Sequence, residues 1–215
     1  MRFFKYFVFS CLILSLLACS KNQSYNSQNR GISKTLNISV APFTQPINTY
    51  ELITGFIPEN QGKIADDQLN QLDVILHDIL SSDSSRTYTF LKRGKSPINR
   101  TLYHNSEQPH GLALWLDYGK KQNANILLIP QILNWHQREG SKAGVTSSAH
   151  VRLELFLINV KDGNIMKRAV FEEKQVGLTD NLLSVGSFFK RGGSWITAEE
   201  LSREGMQQTL KDIGL

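Results

Sequence analysis

The chain of 215 residues contains only two cysteines, Cys11 and Cys19, both near its amino-terminus. Downstream of them there is no disulfide, thiolate metal ligand or cysteine nucleophile, so a folded domain there rests on its core alone. Excess charge is also small: 24 Lys and Arg stand against 19 Asp and Glu, a net charge of +5. Setting aside residues 1–18, which hold Arg2 and Lys5, leaves +3, so the basic balance gives no reason to expect a nucleic-acid partner. The five histidines, His77, His104, His110, His136 and His150, include no pair one helical turn apart and none beside an acidic cluster. That leaves no zinc signature, and His104 and His110 read as solvated loop residues. Neither Val185-Gly186-Ser187 nor Gly193-Ser194-Trp195 completes a nucleophile elbow. Gly192-Gly193 reads as a turn before a capped helix, and Glu172-Glu173 beside Lys174 as solvated charge. No catalytic residue, metal or cofactor is expected, and no internal repeat or heptad array is present.

Long apolar runs are missing as well, with one short exception near the start. Arg2 and Lys5 precede an apolar stretch over residues 6–17, which leads into Leu16-Leu17-Ala18-Cys19. Twelve residues rise about 18 Å as a helix, against a hydrocarbon core of roughly 30 Å, so this is the layout of an export signal and not of a permanent span. Leu16-Leu17-Ala18-Cys19 resembles the lipobox of bacterial lipoproteins, although Leu17 is bulkier than the residue usual there. The resemblance implies that Cys19 is diacylated on sulfur, becomes the first residue after cleavage, and is N-acylated. More than one acyl chain is what stable membrane attachment requires. Ser20 at the next position resembles the sorting signal for the outer membrane, which implies a lipid-anchored protein on its periplasmic face. The expected organisation is a signal peptide over 1–18, the lipidated cysteine with a polar spacer over 19–34, and one domain over 35–215.

Within that domain, Leu36, Ile38 and Val40 alternate with polar residues and end at Pro42, the pattern of a strand. A stretch reaching Lys63 carries Tyr50, Leu52, Ile53, Phe56 and Ile57 and is expected to pack back on the domain. Ala65, Leu69, Leu72, Leu76 and Ile79 recur at helical spacing behind Asp66 and Asp67. Residues 86–93 read as a second strand, and a second helix begins near Pro109 with Leu112, Trp115 and Leu116 on one stripe. The continuous run Ile126-Leu127-Leu128-Ile129 signals a strand covered on both faces, in the middle of the sheet. Residues 151–173 form a hairpin about Asp162-Gly163. Thr197 and Glu200 stand in the capping-box relation ahead of a last helix that stops at Gly214. Along that helix Ala198, Ser202, Gly205, Met206 and Thr209 make one side mostly small, so close approach to another element is expected. The fold class is α/β: a single mixed sheet of about five strands packed by about three helices, in the order β-α-β-α-β-β-β-α.

This order resembles the periplasmic anticodon-binding-like domains, a family that includes the amino-terminal domain of TolB, the curli secretion lipoprotein CsgG and the peptidoglycan-synthase activator LpoB. The residues that carry the resemblance are the strand ending in Pro42-Phe43, Asn123-Ala124-Asn125 where Gly-Ala-Asp is usual, and the Asp162-Gly163 turn. These are packing and turn motifs, which speak to fold more than to function. The resemblance implies a non-catalytic module that docks onto an envelope protein in secretion, envelope assembly or cell-wall complexes. Two other classes stand beside it: a subunit of an outer-membrane secretion pore, and an envelope hydrolase, for which no nucleophile or metal set is present. The sequence leaves self-association into a homo-oligomer open. For partner contact the segment over residues 182–195 is singled out, through Phe188, Phe189, Lys190, Arg191 and Trp195, because aromatic and Arg side chains are enriched at binding surfaces.

Replacing Cys19 by Ala is expected to leave an unprocessed or soluble protein, and mass spectrometry of the wild-type mature chain should find acyl chains on Cys19. An unmodified Cys19 refutes the anchor.

Overall fold

The computed structural model describes residues 32–94, 108–175 and 191–215. Cys19 and the expected signal peptide over 1–18 lie outside the described residues, as do His104, Phe188, Phe189 and Lys190.

Strand β1 (Ile38–Val40) is short and fully buried, and it pairs in parallel with β2 (Tyr88–Phe90) on one side and β3 (Ile126–His136) on the other. Parallel neighbours need crossovers, and helix α1 (Asp66–Ser81) lies between β1 and β2 while α2 (Gly111–Lys121) precedes β3. Two antiparallel strands, β6 (His150–Asn159) and β7 (Asn164–Lys174), complete a five-stranded sheet in the order β2-β1-β3-β6-β7. The strand predicted to be central, β3, is the third of the five. Between β3 and β6 the chain adds a two-stranded ribbon, β4 (Glu139–Gly140) with β5 (Val145–Ser147). Strands of two and three residues are far below the roughly 9–11 that a bilayer crossing requires.

The sheet is covered on both faces. Leu69, Leu72, Ile75, Leu76 and Leu80 of α1 join Leu201, Met206, Leu210 and Ile213 of α3 (Ala198–Ile213) over Leu128, Ile132, Leu153 and Leu155. On the opposite face Leu114 and Trp115 of α2 pack with Leu127, Ile129, Phe156 and Ile158. The stripe of α2 is therefore rotated from the expected one: Leu114 and Trp115 are buried, while Leu112 and Leu116 are only half-buried. Trp115 belongs to both stripes; the rotation brings Gly111 and Gly119 to the packed side, where Leu52 and Val160 approach too closely for a Cβ. Ile32, in the stretch read as spacer, is buried in the first of these cores, and Arg86 fastens it by donating to the carbonyls of Ile32 and Ser33, at 3.0 and 2.9 Å. The same guanidinium reaches the carbonyl of Gly214, at 3.5 Å.

Strand β3 runs seven residues past the apolar run that announced it and contains a proline. Pro130 is tolerated because β3 is even-numbered toward β1: Ala41 N–H donates to Leu128 O and Ile132 N–H to Thr44 O, at 2.9 Å in each case. The missing donor of Pro130 thus falls on the side of the bend around Pro42 and leaves the long antiparallel ladder with β6 untouched. In α3 the predicted cap is present in both directions, with Glu200 N–H donating to Thr197 Oγ1 at 3.2 Å and Thr197 N–H to a Glu200 carboxylate oxygen at 2.8 Å. The small side of the helix lies on β7, where a Cβ at Gly205 would overlap the ring of Phe171. Gly163 takes φ 70° in the β6–β7 turn, the left-handed region the Asp-Gly pair supplies.

Leu72 is fully buried and Val74, two residues on, is 58% exposed. Leu72→Ala is expected to cost about 2–5 kcal/mol in urea unfolding, and Val74→Ala less than about 0.5 kcal/mol. Similar losses at both positions would contradict the placement of α1.

Candidate interaction surface

Two regions of the surface carry more chemistry than the core requires. The first leads into α3. Trp195 is half-buried and is held by its main chain, its N–H donating to Lys142 O at 3.0 Å and its carbonyl accepting from the Arg138 guanidinium. Gln175, just after β7, accepts the N–H of Ile196 at 3.1 Å. Gln137, just after β3, accepts Ala198 N–H at 2.9 Å and donates to Glu199 at 2.8 Å. The first turn of α3 is thereby stitched to the ends of two strands and to the β4–β5 ribbon.

Arg191 sits before this turn with only 10% of its side chain exposed, bridging Glu173 of β7 at 2.7 Å and Glu204 of α3. Although burial alone would lower its pKa, the two carboxylates win and hold the guanidinium above its ordinary value. Arg191 therefore clamps helix to strand. Of the five residues singled out for partner contact, the structure describes Arg191 and Trp195. Gly192 and Gly193 both take positive φ, 66° and 71°, and form the turn the sequence suggested.

The second region is the half of the α2-side face that α2 leaves uncovered. There β6 and β7 place Arg152, Glu154, Arg168 and Glu172 side by side, by the ordinary alternation of strand side chains. Glu154 is completely buried and is met by Arg152 at 3.2 Å and Arg168 at 2.8 Å. Glu172 accepts from Arg152 at 3.2 Å and lies 3.3 Å from the His150 Nε2. Phe56, 62% exposed, lies over the Arg152 guanidinium at 5.0 Å. Glu172 and Glu173 were expected to be plain solvated charges. Each instead has its own cationic partner, on opposite faces of the sheet, because neighbouring strand residues point to opposite sides.

This polar row continues onto β3. Asn134 accepts the N–H of Gly62 through Oδ1 at 2.8 Å, which leaves its amide Nδ2 to donate to His150 Nδ1 at 2.9 Å. His150 Nδ1 is then an acceptor and the ring proton sits on Nε2, toward Glu172. The rings of His150 and His136 stack with centroids 5.9 Å apart. Burial pushes the His150 pKa down, and the repulsion of His136 and Lys174 adds to it; the Glu172 carboxylate pulls the other way and loses.

On the other side of the molecule, a cleft of 250 Å³ opens between α1 and the β1–β2 edge, lined by Val40, Asp73, Val74, His77, Phe90 and Leu91 among others. Its carboxylate is committed: Asp73 accepts Phe43 N–H at 2.7 Å and pairs with Arg93 at 2.6 Å. Among the described residues no three His, Cys, Asp or Glu side chains gather as a metal site, and no helix is long and apolar enough to cross a membrane.

No family model matches the sequence, and no curated protein matches it. Solved structures with a similar chain path include a PelC dodecamer from Paraburkholderia phytofirmans, at a TM-score of 0.47 and 11% identity over 86% of this chain and 91% of that one. The lipoprotein GNA1162 from Neisseria meningitidis aligns at a TM-score of 0.37 and 8% identity, covering 72% of this chain and 93% of the other. The carboxy-terminal domain of LpoB from Salmonella enterica aligns at 0.35 and 12% identity, covering 68% and 87%. Overlaps this loose do not carry a function from one chain to another.

The His150 environment fixes a sign for the dependence of stability on pH. A histidine whose pKa is depressed by folding contributes stability in full above about pH 6.5, and that contribution is lost as the pH falls through the folded-state value. Acidification below about pH 6.5 is expected to lower the melting temperature of the wild type more steeply than that of His150→Gln. Parallel curves would show that His150 is not buried as described.

Proposed function

We propose that the protein is a non-catalytic envelope lipoprotein, held by acyl chains on Cys19 at the periplasmic face of the outer membrane, whose α/β domain docks a protein partner. The address rests on the signal layout, Leu16-Leu17-Ala18-Cys19 and Ser20. The partner surface is Phe188, Phe189 and Lys190 together with Trp195, with Arg191 as its tie to the domain. The observation that carries it is the fixed placement of Trp195, whose half-buried indole stands on a backbone tied to Arg138, Lys142 and Gln175. A large aromatic presented on a rigid support loses little entropy on docking, which is what makes such residues strong binding anchors. Arg191 serves this surface by holding the segment down through Glu173 and Glu204.

The test separates docking from folding. Trp195→Ala and Phe189→Ala are expected to lose the partner in a membrane pull-down with the melting temperature little changed, while Arg191→Glu loses the partner and stability together. Retention of partners in both aromatic variants, or loss only alongside unfolding, overturns the reading.

A further inference from the structure

Strand β7 is the outer edge of the sheet, eleven residues long, and its charges are arranged about a centre. Reading outward from Val170, Arg168 faces Glu172 across that centre and Lys167 faces Glu173. Edge strands usually carry charge that discourages pairing. This arrangement is self-complementary in one antiparallel register and loses that complementarity in the two beside it.

The hydrogen-bonding parity of the edge agrees with that register. Gln175 N–H donates to Ala149 O at 3.0 Å, and residues 167–173 pair with β6 without interruption. Because main-chain groups alternate in direction along an antiparallel pair, the odd-numbered residues of β7 bond to β6 and the even-numbered ones turn N–H and C=O outward. Among the described residues, no strand takes the outward groups of Arg168, Val170 and Glu172. A second copy laid antiparallel with Val170 opposite its own Val170 sets Arg168 against Glu172 and Lys167 against Glu173, twice each. Moving that register by two residues one way sets Arg168 against Lys174; moving it the other way sets Arg168 against Val170 and Lys167 against Phe171. Val170 is 38% exposed although apolar, and the side chains of Arg168 and Glu172 are 37% and 45% exposed. They lie on the face that α2 leaves open.

We propose that two copies of this chain associate through β7, antiparallel and centred on Val170, to form one continuous ten-stranded sheet with a two-fold axis at that residue. The contact is isologous: the same strip on each copy is complementary to itself, and main-chain bonds with alternating charge pairs fix its register. It is independent of acylation and of the partner surface at Trp195, and it fails or stands separately from them.

Single cysteines in the full chain test the register directly. Opposite residues of a hydrogen-bonded antiparallel pair have Cα atoms about 5.5 Å apart, within reach of a disulfide. Mild oxidation of cells expressing Val170→Cys is expected to give a covalent dimer, well above the background of the wild type with its own Cys11 and Cys19. Lys174→Cys should give none above that background, since it stands opposite Met166. Lys167→Glu in the Val170→Cys chain should reduce the dimer severalfold by facing Glu173. Val170→Pro removes an outward N–H that β6 does not use, and is expected to leave a folded monomer by sedimentation where the wild type is a dimer. If Val170→Pro fails to fold, the crosslinks decide alone. A monomeric wild type, equal crosslinking at Val170 and Lys174, or a disulfide from Val170→Cys to a different protein each overturns the proposal.

Discussion

The constraint on which the rest of the structure depends is the burial of β3 over all but its last residue. Ten of its eleven residues are inaccessible, and it pairs in parallel with β1 on one side and antiparallel with β6 on the other. A strand enclosed in this way can exist only if both faces are supplied with apolar cover, which is why α1 and α3 lie on one side and α2 on the other. It also imposes a cost where its sequence turns polar. Gln131 and Asn134 are buried in it, and the segment over residues 44–62 follows its outer half, pairing main chain with main chain at Thr44 and Gln131 and giving the Gly62 N–H to the Asn134 side chain.

Much of this architecture was legible in the sequence because it is written in local periodicities. The three-four spacing of Leu69, Leu72 and Leu76, the run at residues 126–129, the Asp162-Gly163 turn and the Thr197–Glu200 cap each describe forces acting within one element. Small residues on one side of the last helix announced a close neighbour, and Phe171 is that neighbour. The facing of α2 was not readable, since Leu112, Leu114, Trp115 and Leu116 offer two overlapping stripes and the choice is made by what the sheet can accept. The same holds for Pro130, whose harmlessness depends on the bend of another strand.

The polar row on the open face was legible only in part. Arg152 and Glu154 stood in alternate positions of an otherwise apolar strand, which is a signal that one of its faces is not simply core. Nothing local said that Arg168 and Glu172 lie beside them, because register between strands is set by the turn and the bulge at Leu157 and Ile158. Arg191 is the sharper case. Its composition suited an exposed recognition patch, yet two carboxylates distant in sequence converge on it and make it an internal tie.

The clasp formed by Arg86 has a mechanical meaning. One guanidinium holds the carbonyls of Ile32 and Ser33, ahead of β1, and that of Gly214, just after α3. Tension transmitted through the residues before Ile32 would arrive first at this clasp, and behind it at β1, a three-residue strand flanked by two parallel neighbours. Parallel ladders drawn along their length resist in shear, with their bonds loaded together, whereas a hairpin pulled open yields one bond at a time. A pull arriving at Ile32 would thus be met where the load is shared.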